Sequence, residues 1–114
     1  MTIREYFNHY YHIICHGDLA QLDTLFHADS PFLTGIKSQY EMLRQQLQMH
    51  VDIELLELVA KQDDLIVIRD KILFEGCNGG NCHRNRSGNL HVLTKREDGE
   101  WKFLSTLCIG VAAA

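Results

Sequence analysis

The order of segments predicts an α+β fold. Helical spacing fills the first half of the chain and strand-like runs fill the second, with Asp98-Gly99-Glu100-Trp101 marking the last turn. The change of period falls near Val51, where helical spacing gives way to runs rich in Val, Ile, Leu and aromatics. At 114 residues there is room for one domain, 1–114, with one core.

Thr2 is the N-cap of a first helix that ends at Gly17, a residue suited to the position after a helix. On a wheel of about 100° per residue, Ile3, Tyr6, Phe7, Tyr10, Ile13 and Ile14 share one wide apolar face. Asp18 caps a second helix carrying Leu19, Leu22, Leu25 and Phe26. Pro31 fits the exit from it, and Phe32-Leu33 reads as a short strand or bridging segment. Ser38-Gln39-Tyr40-Glu41 is a capping box that opens a third helix, with Tyr40, Leu43 and Leu47 as its apolar stripe. Four strands follow, at 51–60, 65–75, 89–97 and 100–109, bounded by turn residues.

Asp98-Gly99 is the strongest hairpin signal in the chain. As a two-residue loop it pairs residues whose numbers sum to 197. One face then carries Leu90, Val92, Thr94, Trp101, Phe103, Ser105 and Leu107, and is read as the concave side. The other carries His91, Leu93, Lys95, Lys102, Leu104, Thr106 and Cys108. Leu93, Leu104 and Cys108 are too apolar for open solvent, so a homodimer through this outer sheet face is expected.

The net charge of −4 offers no basic stripe for nucleic acid. No apolar run approaches the roughly 20 residues a membrane helix needs. Arg4 and Glu5 interrupt the first apolar pattern, so no leader is expected, and the chain reads as cytoplasmic. In that compartment Cys15, Cys77, Cys82 and Cys108 are expected as thiols, although a local Cys77–Cys82 disulfide stays open.

Three constellations could carry chemistry. Glu5, His9, His12 and His16 share a side of the first helix; imidazoles one turn apart can share an ion, but the competing reading is a solvated face. Cys77, Cys82 and His83 sit in a Gly/Asn-rich stretch running to Gly88, with His91 or His27 as outside ligands; the competing reading is a flexible hairpin loop bearing Arg84 and Arg86. No set of four ligands has recognised spacing, so neither a metal nor a cofactor is expected. The third is a concave pocket built from Tyr6, Tyr10, Asp70, Val92, Trp101, Phe103 and Ser105. Asp70 shares a strand face with Ile66, Ile68, Ile72 and Phe74, where burial would raise its pKa as a general base requires. The alternative is a bulge that turns Asp70 outward and leaves Arg69 within.

The segment YYHIICHGDLAQLDTLFHADSPFLTG, from Tyr10 to Gly35, resembles the opening of NTF2-like (SnoaL-like) proteins such as ketosteroid isomerases. The tail HVLTKREDGEWKFLSTLCIG resembles the end of the calcium/calmodulin-kinase association domain. The resemblance implies a cone: three N-terminal helices packed in a curved, mostly antiparallel sheet, with a pocket and dimers through the outer face. It aligns Tyr10 with the isomerases' enolate-binding Tyr, but puts Thr34 at their general base and no acid near Leu90–Val92. The function expected is therefore binding of a small apolar or amphipathic molecule. An isomerase, dehydratase or cyclase using Asp70 and Tyr10 is the alternative, and a dimeric partner-binding module a third.

Overall fold

The computed structural model describes residues 2–114. Helix α1 (Ile3–Cys15) starts where the Thr2 hydroxyl accepts the amide of Glu5 at 3.1 Å. Gly17 follows its C-cap, His16, for a reason of space rather than backbone handedness. The only positive-φ residues among those described are Gly79 and Gly99, and a Cβ on Gly17 would sit 2.9 Å from Ile13 Cα. Arg44 reaches over from the third helix and donates to the Gly17 carbonyl at 2.6 Å, satisfying a helix end that has no partner of its own.

The second helical segment is a 3₁₀ helix, Leu19–Thr24, capped by Asp18 as expected. Its exit supplies the bridge that the sequence suggested for Phe32-Leu33. Phe26 pairs with Phe103, the His27 amide donating to the Phe103 carbonyl and the Phe103 amide to that of Leu25. Phe32 and Leu33 instead open α2 (Leu33–Gln46), so the expected capping box at Ser38 lies inside a helix already running. Ser30 wins the start. Its hydroxyl accepts the Phe32 amide and donates to the Leu104 carbonyl at 2.6 Å, tying the turn to the sheet. The stripe Leu33, Ile36, Tyr40 and Leu43 then continues at helical spacing against the core.

Four antiparallel strands form a meander in the order β1 (Gln48–Lys61), β2 (Leu65–Asn78), β3 (Asn81–Lys95) and β4 (Trp101–Ala113). Extra residues at Glu54 and Val59 in β1, and at Leu104 and Ile109 in β4, interrupt the ladders. Such bulges increase strand twist, and here they curl the sheet around α1. Phe7, Tyr10, Ile13 and Ile14 of α1 fill the hollow against Phe26, Ile68, Leu93 and Phe103. Among the described residues no helix is long and apolar enough to cross a membrane.

Two sequence expectations about the sheet need correction. The stretch from Cys77 to Gly88 is ladder, not loop: β2 and β3 run on to a tight turn with Gly79 at φ 61°. Cys77 and Cys82 face each other across it, Cα atoms 4.1 Å apart, and are disulfide-bonded, leaving Cys15 and Cys108 as the free thiols. This part of the hairpin carries polar residues on both faces and lacks the alternation by which strands are recognised.

The last hairpin holds three loop residues rather than two. The Arg96 amide donates to the Glu100 carbonyl at 2.8 Å, with Gly99 at φ 84°. Pairing near the turn is Leu93 with Phe103, and the Leu104 bulge then restores the expected register, His91 with Thr106 and Leu90 with Leu107. Trp101 and Phe103 therefore share the concave side with Leu93, His91, Thr106 and Cys108. Val92, Ser105 and Leu107 lie outside.

Candidate functional site

β2 has no bulge, so its alternation is unbroken and Asp70 points inward with Ile68 and Ile72; Arg69 does not. The Asp70 side chain is 0% exposed. A carboxylate in such surroundings must find donors, and three converge on it. The Tyr11 hydroxyl donates to Oδ2, the Asn89 amide to Oδ1 at 2.9 Å, and His91 Nε2 lies 2.7 Å from Oδ2. Toward an ionised carboxylate, which can only accept, Nε2–H is the donor, and Nδ1 lies 2.7 Å from the Thr106 hydroxyl. His91 is itself 1% exposed, and Phe7 packs edge-on against its ring with centroids 4.8 Å apart. No buried side-chain polar atom among the described residues is left without a partner.

This chain of groups backs onto a cavity of about 240 Å³ between α1, α2 and the concave face of the sheet. Tyr10 and Tyr11 come from α1, Tyr40 and Gln39 from α2, Asn85, Ser87 and Asn89 from β3, and Thr106 and Cys108 from β4. Ile14, Ile36, Leu43, Val51, Ile72, Phe74 and Val111 complete the wall, and among the described residues no charged side chain lines it. Asp70 and His91 lie just behind that wall, so a molecule in the cavity meets them only through Asn89, Tyr11 or Thr106.

Burial drives the Tyr10 and Tyr11 phenols well above their ordinary pKa of 10, and the nearby Asp70 charge pushes Tyr11 the same way. Tyr40 is raised to about 12, again chiefly by burial. All three stay protonated at neutral pH and can act as hydrogen-bond donors. The neighbouring Thr106 side chain partly opposes the effect of burial at Tyr10.

Of the residues singled out from sequence, Tyr10 lines this cavity and Asp70 lies behind it. Tyr6 and Trp101 sit at the other end of α1, around a separate depression of about 220 Å³ with Ile66, Ile68 and Leu93. The Tyr6 hydroxyl is engaged there by the carbonyls of Leu25 and Trp101, at 3.2 and 3.3 Å. Phe103 is solid core at 0% exposure, while Val92 and Ser105 are on the outer face. Of the groups around Asp70, the sequence names His91 only as an outside metal ligand, and Asn89, Tyr11 and Thr106 not as site residues at all. Asn85, Ser87, Asn89 and His91 do alternate as polar residues along β3, directly opposite the strand of Asp70. That was the signal that could have found them.

The other constellations stay apart. Glu5, His9, His12 and His16 are exposed on α1, with the His12 and His16 rings 5.8 Å apart. The sulfurs of Cys77 and Cys82 are bonded to each other. Among the described residues no group of three or more His, Cys, Asp or Glu side chains is placed to hold a metal ion.

No protein-family model matches the sequence. The search of curated proteins likewise gives no match. The fold, by contrast, has clear relatives among solved structures. An NTF2-like superfamily protein from Salmonella enterica serovar Typhimurium superposes with a TM-score of 0.81 at 15% identity, covering 95% of this chain and 87% of that one. A candidate aromatic ring hydroxylase from Novosphingobium aromaticivorans gives 0.75 at 12% identity, covering 98% and 90%. The chain has the NTF2-like fold. At these identities the likeness is one of fold alone.

Proposed function

We propose that this protein binds a small, uncharged molecule in the cavity between α1, α2 and the sheet, one that joins an apolar ring or chain to hydrogen-bonding groups. One observation carries the reading: an uncharged cavity of about 240 Å³ in which phenols, amides and a threonine hydroxyl face a wall of Ile, Leu, Val and Phe. A dry cavity of about 150 Å³ suffices for benzene. The space therefore suits a substituted single ring better than a polycyclic ligand. The expected ligand is accordingly more polar than a purely apolar one. Asp70 serves this site from behind, by holding His91 and Tyr11 in place.

A thermal-shift screen of substituted phenols, anilides and small ketones tests the reading. A ligand at about 100 times its dissociation constant stabilises by about 2.7 kcal/mol. Replacing Leu43 with Trp, which fills the cavity from the α2 side, should abolish that shift without unfolding the protein. Equal shifts in both proteins would place the ligand elsewhere and refute the proposal.

We infer also that the outer face of the sheet pairs with a second copy of this chain. The support differs from the expected patch, because Leu93 and Cys108 face inward. Leu107 and Ile109 are 55% and 52% exposed beside the half-buried Leu90 and Val92, and an apolar row of that kind marks an interface more often than open surface. Sedimentation should give a dimer at micromolar concentration and a monomer for Leu107→Asp, which would bury a charge without a partner. A monomeric unmodified protein would overturn this.

A further inference from the structure

Two of the polar groups around the cavity have no choice in what they offer a ligand. Tyr11 and Asn89 both line it, and both are bound to Asp70, the Tyr11 hydroxyl to Oδ2 and Asn89 Nδ2 to Oδ1 at 2.9 Å. An ionised carboxylate only accepts, so each must present it with a proton. Tyr11 has a single hydroxyl proton, and with that proton on the bond to Asp70 its oxygen keeps lone pairs alone. The same kind of bond fixes the Asn89 amide, because turning it over would set its carbonyl against the carboxylate. No protein donor reaches Asn89 Oδ1 among the described residues, and no buried side-chain oxygen there goes unpartnered, so this atom is open rather than sealed in. The inner end of the cavity therefore faces a ligand with acceptors.

We propose that the ligand of this cavity is a primary aromatic carboxamide, whose N–H groups are received by Asn89 Oδ1 and the Tyr11 oxygen, an inference that rests on the cavity being a ligand site. Asp70 is 0% exposed and lies behind the wall, so its charge acts on the cavity through these two bonds. Donation into a carboxylate polarises the phenol and the amide, and their outward oxygens become better acceptors. A ligand oxygen or methyl group placed there loses its partners in water or leaves these acceptors unmet, and gains no bond in return. A site built around fixed hydrogen bonds discriminates against such a group far better than an apolar pocket does. Gln39, Asn85 and Ser87 line the same cavity without a bond to Asp70 and remain to serve the carboxamide oxygen. The aliphatic wall takes the ring. A carboxamide also keeps its donors neutral, as suits a cavity with no charged lining.

Benzamide and acetophenone are the probes, because they share the ring and the carbonyl and differ only in NH₂ against a methyl group of similar size. Titrations followed by ligand-observed NMR should show the unmodified protein binding benzamide at least about tenfold more tightly. In Tyr11→Phe, which removes one acceptor, that preference should shrink. In Asp70→Asn it should shrink as well, since Asn89 then turns its oxygen to the new NH₂ and shows N–H to the cavity. The ratio is taken within each protein, so a general loss of affinity does not imitate the result, and the unmodified protein decides the first comparison without any variant. Equal binding of the two probes, tighter binding of acetophenone, or a preference unchanged in both variants overturns the proposal. If Leu43→Trp still abolishes the binding in those cases, the ligand site itself stands. Binding of neither probe overturns the proposal too, and takes the ligand site with it where the wider thermal-shift screen is also blank.

Discussion

Replacing Asp70 with Ala should be among the most damaging substitutions in this chain, and the damage should come from what is left behind. The carboxylate receives the Tyr11 hydroxyl, the Asn89 amide at 2.9 Å and His91 Nε2 at 2.7 Å. Alanine orphans all three. A buried donor without a partner costs about 1–3 kcal/mol. The adjoining cavity gives water some access, so the lower end applies to each, and the sum is about 3 kcal/mol. A domain of this size has only about 5–15 kcal/mol in total. Asp70→Asn should be much milder. The new amide keeps the shape, its oxygen can still accept from His91 and Tyr11, and Asn89 can turn its own amide to offer oxygen to the new NH₂. What is lost is the charge assistance, about 1 kcal/mol. Urea unfolding of the three proteins at one pH measures both differences, provided the slopes agree. An Asp70→Ala protein within about 1 kcal/mol of the unmodified one would show that the donors are not confined, and the closed network would be refuted.

Alkaline pH gives a second test. Cys15 is raised from 9 to about 11 and Tyr40 from 10 to about 12, with Tyr10 and Tyr11 well above 10, in each case chiefly by burial. These groups ionise first in the unfolded chain, which then binds fewer protons, so stability falls as pH rises, beginning near 9 and steepening past 10. Each group in its window adds a slope of about 1.4 kcal/mol per pH unit, and a urea midpoint flat to about pH 10.5 would contradict this. Gly17→Ala forces a Cβ to within 2.9 Å of the Ile13 backbone and should cost about 1–3 kcal/mol, where an ordinary exposed helix-end Ala costs far less; a Tm within a degree of the unmodified protein would count against that contact.

The α+β order and the first helix were legible in the sequence because each rests on uninterrupted periodicity, whereas an inward Asp70 and an inward Arg69 stood as equal alternatives until the unbroken β2 ladder placed Asp70 within. Tyr6, Phe7, Tyr10, Ile13 and Ile14 keep helical spacing, and the β2 alternation from Ile66 to Phe74 meets no bulge. The last hairpin was not legible in the same way. One extra loop residue before Trp101 and one at Leu104 cancel in register, yet between them they exchange the faces of Leu93 and Val92. Nothing local announces a bulge at Leu104, because its consequence, Ser30 holding the freed carbonyl, comes from a residue far away in the chain. His91 and Thr106 were therefore assigned to the outer face, and the most chemically loaded part of the molecule was missed. Asp70 is also more enclosed than a strand pattern can convey, since all three of its side-chain partners come from α1 and β3.

The most direct test of the account is the protonation of His91, read by ¹⁵N NMR of the imidazole at neutral pH. A carboxylate at Asp70 calls for a proton on Nε2, slow to exchange with water and hydrogen-bonded to it, and the expected result is a bare Nδ1 facing Thr106. Thr106→Val should leave that proton in place while removing the hydrogen bond to Nδ1. A proton found on Nδ1 with Nε2 bare, or one that exchanges as fast as an exposed imidazole, would contradict the buried pair and everything derived from it.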